Sequence, residues 1–207
     1  MAAGQELQLE RTSSALIIQD LQNDVISEGG AFADSGAPAH AVSQGIVVNV
    51  ANLAAAAREL GVPVVHVHYV VEPGARGLRQ NAPLFQGVKA SDALVRGTWG
   101  AAPVDGLEPQ PGDFTVEKLR MNGFYGTKLE SLLRGLGTET VIITGAWTNM
   151  SIEHTARHAA DAGFEVIVAR DGTSTVNDEW QHAGLDYALT NVGRTPTCSD
   201  IIAALRG

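Results

Sequence analysis

The chain has 207 residues, a formal net charge of −9 at pH 7 and a hydrophobic fraction of 44%. This length suits one domain with an aliphatic core, and the acidic balance argues against nucleic acid or an anionic membrane as a partner. The sequence shows no apolar stretch long enough to cross a bilayer and no secretory signal pattern. Its one cysteine, Cys198, excludes an internal disulfide, and we expect a cytoplasmic protein.

Short apolar strands alternate with helical segments along the chain. The apolar runs predict strands at residues 15–19, 63–69, 114–117, 140–144 and 165–169. Apolar positions at helical spacing predict helices at residues 42–60, 127–135, 149–162, 178–191 and 201–206. This alternation predicts an α/β fold with one doubly wound, mostly parallel sheet and helices on both faces. We expect a single domain over residues 1–207, in which residues 1–12 form a flexible N-terminal extension.

The stretch from Glu72 to Gly97 is rich in Gly, Pro, Gln and Arg and has no clear period. A loop of this length in a compact domain is usually a lid, a binding loop or an oligomer contact. Residues 70–98 also contain apolar side chains that would stay partly in water in a monomer, namely Val70, Val71, Leu78, Leu84 and Phe85. We therefore expect a homo-oligomer, with this loop or the segment 97–100 near an interface or the pocket mouth.

Three polar residues occur where predicted strands end. Asp20 follows the first strand, Lys118 follows the third, and Ser151 lies in the first turn of the helix after the fourth. The carboxyl ends of parallel strands form the usual ligand crevice of an open α/β sheet. A lysine beside an aspartate keeps the carboxylate ionised, and an adjacent hydroxyl can hydrogen-bond to it. On these residues alone, a buried ion pair with a helix-capping serine is an equally good explanation.

The motifs around these residues follow a specific order. Asp-x-Gln-Asn-Asp occupies 20–24, a Lys-x-Arg motif with later Phe, Thr and Leu occupies 118–129, and Gly-x-x-Thr-Asn-x-Ser-Ile-x-x-Thr-Ala occupies 145–156. From about residue 14 to 205 the chain resembles the isochorismatase-like hydrolase superfamily, also called the cysteine hydrolases, with Ser151 at the position of the catalytic cysteine. The resemblance implies hydrolysis of a C–N bond in a small-molecule amide or ureide. Asp20 would accept a proton, Lys118 would stabilise charge, and Ser151 would be the nucleophile.

The resemblance also implies the surroundings of this triad and the assembly. A cis peptide between Ala146 and Trp147 would aim a backbone N–H at the substrate oxygen. Contacts with the substrate are predicted for Gln22, Arg120, Asn122, Trp147, Thr148 and His68. The guanidinium of Arg120 could hold a carboxylate in bidentate fashion, although a surface arginine is the simpler interpretation. Relatives usually form dimers or tetramers whose neighbours help to close the pocket.

Serine at position 151 leaves several explanations open. One explanation is an engineered Cys→Ser change, and a second is a natural serine version that uses Asp20 as the base. Alternatively, the chain is similar to the isochorismatases proper, in which Asp20 acts as a general acid on a vinyl ether. Thr148 followed by Asn149 favours the amidase interpretation, whereas Trp147 in place of a tyrosine mildly favours the vinyl-ether one. A non-catalytic small-molecule-binding relative is a further alternative, against which the retained Asp20 and Lys118 argue.

Two histidine pairs are candidates for metal binding. His66 and His68 lie two residues apart on one face of a predicted strand, which is more typical of a pocket wall or a core group than of a zinc site. The Asp-x-His-x-x-x-His motif of nicotinamidase-like relatives is absent. His154 and His158 have i, i+4 spacing without the glutamate expected between zinc ligands. We therefore predict no metal and no cofactor.

Overall fold

The computed structural model describes residues 7–207 and contains one five-stranded sheet in the order β3-β2-β1-β4-β5. The strands are β1 Ser14–Gln19, β2 Val64–Tyr69, β3 Phe114–Lys118, β4 Thr140–Ala146 and β5 Glu165–Ser174. Every neighbouring pair is parallel. The predicted α/β fold with a doubly wound sheet is confirmed.

Helices cover both faces of this sheet. The α-helices of the described chain are α1 Asn23–Ile26, α2 Ala37–Gln44, α3 Ile46–Glu59, α4 Pro83–Ala90, α5 Leu129–Gly135, α6 Glu153–Asp161, α7 Asp178–His182 and α8 Cys198–Arg206. In β1, Leu16 and Ile18 pack in one apolar cluster with α3 and α8, whereas Ala15 and Ile17 pack in a second cluster with α5 and α6. Because both faces of β1 are buried, its sequence is a continuous apolar run rather than an alternating one.

The order of the strands determines where a site can form. The chain runs from β1 outward through β2 to β3, and then returns to the other side of β1 to form β4 and β5. The direction of winding thus changes between β1 and β4. In open α/β sheets, ligands bind outside the carboxyl ends of the strands at such a point.

The helix predicted at 42–60 is two helices, and it begins earlier. Pro38 lies in the first turn of α2, a position where its missing N–H removes no helical hydrogen bond. Gly45 ends α2 in the left-handed conformation, with φ of 62°, and its N–H bonds to carbonyls of the last turn. A left-handed residue stops an α-helix, so α3 starts afresh at Ile46.

Two other predicted helices are irregular. The helix predicted at 149–162 starts as a π-helical turn, Thr148–Ile152, and that at 178–191 continues beyond α7 as a π-helical and then a 3₁₀ segment.

Of the predicted N-terminal extension, residues 1–6 lie outside the described chain, whereas Leu7 and Leu9 pack against the core. Within residues 7–207 no helix is both long and apolar enough to span a membrane.

The segment predicted as a loop at 72–97 contains α4, which the sequence analysis missed. Val71, Leu78 and Phe85 are buried within this single chain, with 1%, 4% and 3% of their surface exposed. The expectation that apolar side chains of this segment would remain partly in water in a monomer is therefore wrong for these three, whereas Val70 and Leu84 are only half-buried. The homo-oligomer stays a prediction, without that argument to support it.

Candidate active site

Asp20 and Lys118 form a buried ion pair at the carboxyl ends of β1 and β3. Lys118 Nζ lies 2.7 Å from Asp20 Oδ2, and the two side chains are 0% and 3% exposed. Asp20 has φ of 57°, in the left-handed region that few non-glycine residues occupy. Such a conformation costs free energy and concentrates at functional sites.

The surroundings of Lys118 place the proton of this pair on the lysine. Lys118 Nζ also donates to the carbonyl oxygens of Arg120 at 2.9 Å and Met121 at 3.0 Å. Three acceptors match the three N–H groups of an ammonium, whereas a neutral amine has only two. Burial lowers the pKa of Lys118, and the charge of Asp20 opposes this effect. Burial likewise raises the pKa of Asp20 above its usual value, against the charge of Lys118. The carboxylate is therefore ionised yet more basic than an exposed one.

Ser151 reaches the same place from β4. The strand passes Gly145, which has φ of 131°, and a Cβ at this position would lie 1.9 Å from the backbone oxygen of Gln19. Only glycine therefore lets β4 approach β1 so closely here. The following peptide bond, between Ala146 and Trp147, is cis. Ser151 lies in the π-helical turn that follows and is 8% exposed.

The Ser151 hydroxyl and the Asp20 carboxyl are neighbours. Hydrogen bonding from Ser151 is one of the effects that lower the pKa of Asp20, after the larger effect of Lys118. Among residues 7–207, Asp20 Oδ1 nevertheless has no hydrogen-bond partner. This oxygen is available to accept a proton or to bind a donor of a ligand.

Asp20 and Ser151 line a small cavity with a volume of about 40 Å³, which has room for about three water molecules. Its other lining residues are Val25, Phe32, Tyr69, Leu84, Val88, Leu94, Ala146, Trp147 and Met150. Leu84 and Val88 belong to α4, so the segment predicted as a loop covers the site. Most of the lining is apolar, and the polar groups converge around the end of β1.

Two residues predicted to contact the substrate have side chains that bond to other parts of the protein. The Gln22 side chain accepts from Tyr69 N–H at 2.8 Å, and it donates to the carbonyl oxygens of Tyr69 at 2.9 Å and Ala101 at 2.7 Å. Thr148 donates to Gln181 Oε1 at 2.6 Å and is fully buried. Neither side chain lines the cavity, whereas Trp147 does.

Arg120 and Asn122 line a separate cleft, which Phe85 of α4 also lines. Arg120 donates to the Arg79 carbonyl oxygen and to Asn81 Oδ1, both at 2.9 Å, and its guanidinium carbon lies 3.4 Å from the centroid of the Phe85 ring. Asn122 lines the same cleft and makes a hydrogen bond of 3.1 Å with a histidine of α6. The structure therefore does not bring these two predicted contacts into the cavity.

His68 also lies outside the cavity, beside His66 on β2. Burial is the largest cause that lowers the pKa of His68, to about 4, and the charge of His66 adds to it. His66 Nε2 lies 3.1 Å from Asp113 Oδ2, an oxygen that Arg58 already contacts at 2.7 Å. Among residues 7–207, no three side chains of the types that bind metals converge as ligands.

Several lining residues were not predicted. Tyr69 is the last residue of β2 and therefore lies at the same sheet edge as Asp20 and Lys118. The rule that identified the charged pair could have found it, because the carboxyl ends of parallel strands lie together. Leu84, Val88 and Leu94 carried no such signal, since only tertiary packing places them over the site.

Comparisons with known proteins show the family of this chain. A sequence model of the isochorismatase domain matches residues 14–200. The ureidoacrylate amidohydrolase RutB of Enterobacter sp. (strain 638) is 32% identical over 209 residues, which are 93% of this chain and 89% of the relative. RutB of Variovorax paradoxus (strain S110) is 33% identical over 214 residues, which cover 97% of this chain and 84% of the relative. The crystal structure of a cysteine hydrolase from Pseudomonas syringae pv. phaseolicola 1448A shares the fold, with a TM-score of 0.85, 23% identity and coverage of 97% and 96%. The chain belongs to the isochorismatase family.

Proposed function

We propose that this protein hydrolyses a C–N bond of a small amide or ureide in the cavity that Asp20 and Ser151 line. One observation carries the proposal. The Asp20 carboxylate uses Oδ2 to bind the Lys118 ammonium, and its Oδ1, beside a serine hydroxyl, has no hydrogen-bond partner in the described chain. The curated relatives named above are ureidoacrylate amidohydrolases, which supports a ureide as the substrate class.

The first half of the reaction forms an ester with the protein. Ser151 Oγ attacks the carbonyl carbon of the substrate, and its proton passes to Asp20. Burial raises the pKa of Asp20, which makes the carboxylate a better base than an exposed one. The negative charge that develops on the carbonyl oxygen lies near the start of the helical segment after β4, where the helix dipole favours it.

The second half releases the products. The C–N bond breaks as Asp20 returns the proton to the leaving nitrogen, and the amine or ammonia departs. Water then attacks the ester, again giving a proton to Asp20, and Ser151 recovers its proton as the acid leaves. Lys118 cannot donate to the substrate in these steps, because all three of its N–H groups are already bonded.

A test measures ammonia release from a panel of ureides and amides that includes ureidoacrylate. We expect slow turnover by the protein as it stands, at least tenfold faster turnover after Ser151→Cys, and none after Asp20→Asn. A thiol is a better nucleophile than a hydroxyl because it ionises far more readily. Ser151→Ala serves as the control for background hydrolysis. If the cysteine variant releases no more ammonia than the alanine variant on any substrate, the proposal is wrong.

The raised pKa of Asp20 favours a second candidate function. A carboxyl whose pKa is raised takes up a proton more readily than an exposed one, and once protonated it is suited to act as a general acid, as vinyl-ether hydrolysis requires. This reaction needs no nucleophile at position 151. Release of pyruvate from isochorismate, unchanged by Ser151→Ala, would favour this candidate over the amidohydrolase. Binding of these compounds without turnover by either route would instead indicate a non-catalytic relative.

A further inference from the structure

Three buried polar atoms of residues that line the cavity have no hydrogen-bond partner among residues 7–207. They are Asp20 Oδ1, the Tyr69 hydroxyl oxygen and Trp147 Nε1. An unpaired buried polar atom destabilises the fold, and buried polar groups are therefore almost always bonded. Their concentration around one cavity indicates that a ligand supplies the missing partners.

Tyr69 is held in place by contacts that do not use its hydroxyl. Gln22 binds both its backbone N–H and its carbonyl oxygen, and Lys118 Nζ lies 4.9 Å from the centroid of its ring. The residue is 5% exposed. Burial raises the pKa of Tyr69, so the hydroxyl keeps its proton at physiological pH and can donate it. These contacts thus fix a donor at the cavity wall, and the described residues provide no acceptor for it.

The indole N–H of Trp147 is a second donor, and the Trp147 ring is also held in place by a contact. Its ring meets the Phe32 ring edge to face, with centroids 5.9 Å apart and an angle of 68° between the planes. The indole N–H can only donate, and an ionised carboxylate such as Asp20 can only accept. The unpaired set of two donors and one acceptor is therefore complementary to a carboxamide, whose oxygen accepts and whose nitrogen donates.

We propose that the Tyr69 hydroxyl and the Trp147 indole N–H are the specificity-determining donors of the site and bind the oxygen of an unsubstituted carboxamide or terminal ureide. The amide nitrogen of this ligand donates to Asp20 Oδ1. This inference rests on the proposed hydrolase function, to which it adds the chemical class of the substrate headgroup.

The dimensions of the cavity agree with this headgroup. A volume of about 40 Å³ corresponds to about three water molecules, and a carboxamide has three heavy atoms. The remainder of the substrate meets the apolar side chains of Leu84 and Val88, which must shift to admit it. An apolar group next to the carboxamide fits these walls, since a charged one would lose its hydration there.

The experiment compares Tyr69→Phe with Tyr125→Phe, a matched control because Tyr125 is 66% exposed. Butyramide binding is measured by calorimetry, and 2-pentanone serves as a probe of the same shape that keeps the oxygen and lacks the N–H groups. We expect Tyr69→Phe to weaken the binding of both probes by about 3- to 10-fold, the net effect of one hydrogen bond. Trp147→Phe should act in the same direction. Asp20→Asn should weaken butyramide more than 2-pentanone.

Thermal unfolding supplies a readout that separates ligand binding from a structural role. Because the Tyr69 hydroxyl has no hydrogen-bond partner in the part of the chain that the structure describes, Tyr69→Phe should leave Tm unchanged or raise it. A Tm lowered by several degrees, with unchanged butyramide binding, would show that the hydroxyl serves the fold and would overturn the inference. Absence of saturable butyramide binding to the parent protein would overturn it as well.

The kinetic outcome distinguishes this inference from the proposed function. If Ser151→Cys hydrolyses amides but added Tyr69→Phe keeps kcat/KM within twofold, the inference fails and the function stands. If no amide is hydrolysed but Tyr69→Phe still weakens butyramide binding, the function fails and the donor assignment stands.

Discussion

Asp20→Asn tests the electrostatics of the site directly, because it removes one charge of the buried pair and keeps the shape. Lys118, whose side chain is 0% exposed, would then lack a counter-charge. The two carbonyl oxygens of Arg120 and Met121 would remain as its acceptors, and they match the two N–H groups of a neutral amine. We therefore expect Lys118 to lose its proton in the folded variant.

The loss of unfolding free energy in Asp20→Asn follows from the neutralisation of Lys118. Breaking a buried ion pair costs about 3–5 kcal/mol of unfolding free energy. Deprotonating a lysine of ordinary pKa at pH 7 costs about 5 kcal/mol, which sets an upper limit. Burial lowers the pKa of Lys118 in the folded state, so the unfolded chain binds the extra proton. The stability of the variant should therefore rise with pH toward the unfolded pKa of 10.5, by up to about 1.4 kcal/mol per pH unit.

Urea unfolding of the parent protein and the variant at pH 7, 8 and 9 measures both quantities. Asp20→Asn combined with Lys118→Met is the control, since it removes the titrating group and should abolish the added pH dependence. A variant that is destabilised by less than about 1 kcal/mol, or equally at all three pH values, would refute the assignment of a charged Lys118 in the parent site.

Three further predictions concern stability and assembly. The pKa of His68 is lowered to about 4 in the fold, so the unfolded state binds more protons between pH 6.5 and 4. As the pH is lowered from 6.5 to 4, the unfolding free energy should decrease by up to about 3 kcal/mol, and His68→Asn should reduce this pH dependence. Gly145→Ala should lower the unfolding free energy by at least about 3 kcal/mol, because the added Cβ would meet a backbone oxygen at 1.9 Å. Gly135→Ala, where the Cβ has open space, should raise it by about 0.5 kcal/mol. Urea titrations measure both changes. Sedimentation at micromolar concentration should give a particle heavier than one 21.7 kDa chain, and a single-chain mass would contradict the predicted homo-oligomer.

The charged part of the site could be found from the sequence because it depends on simple rules. Asp20 and Lys118 directly end apolar runs, and parallel strands bring their carboxyl ends to one sheet edge. Ser151 follows a third such run, and the motif order assigned the three residues to one family. These inferences need only the positions of the strands, which hydrophobic runs reveal well.

The walls of the site could not be found in this way. The helix α4 has eight residues, too few for propensity alone to stabilise it, and it forms because Phe85 and Val88 pack inward. The hydrogen-bond partners of Gln22 and Arg120 could not be found from the sequence for a different reason. A polar side chain reveals what it can donate or accept, but its partner depends on which backbone the fold places beside it.

The position of α4 has a consequence for how this family member can diversify. Proton-transfer groups are carried by the ends of sheet strands, whereas Leu84 and Val88 come from a short helix in a long connection between β2 and β3. Connections of this kind accept substitutions and insertions far more readily than the sheet does. Natural variation or laboratory selection confined to residues 83–94 can therefore change which molecules are admitted while the reactive groups keep their places.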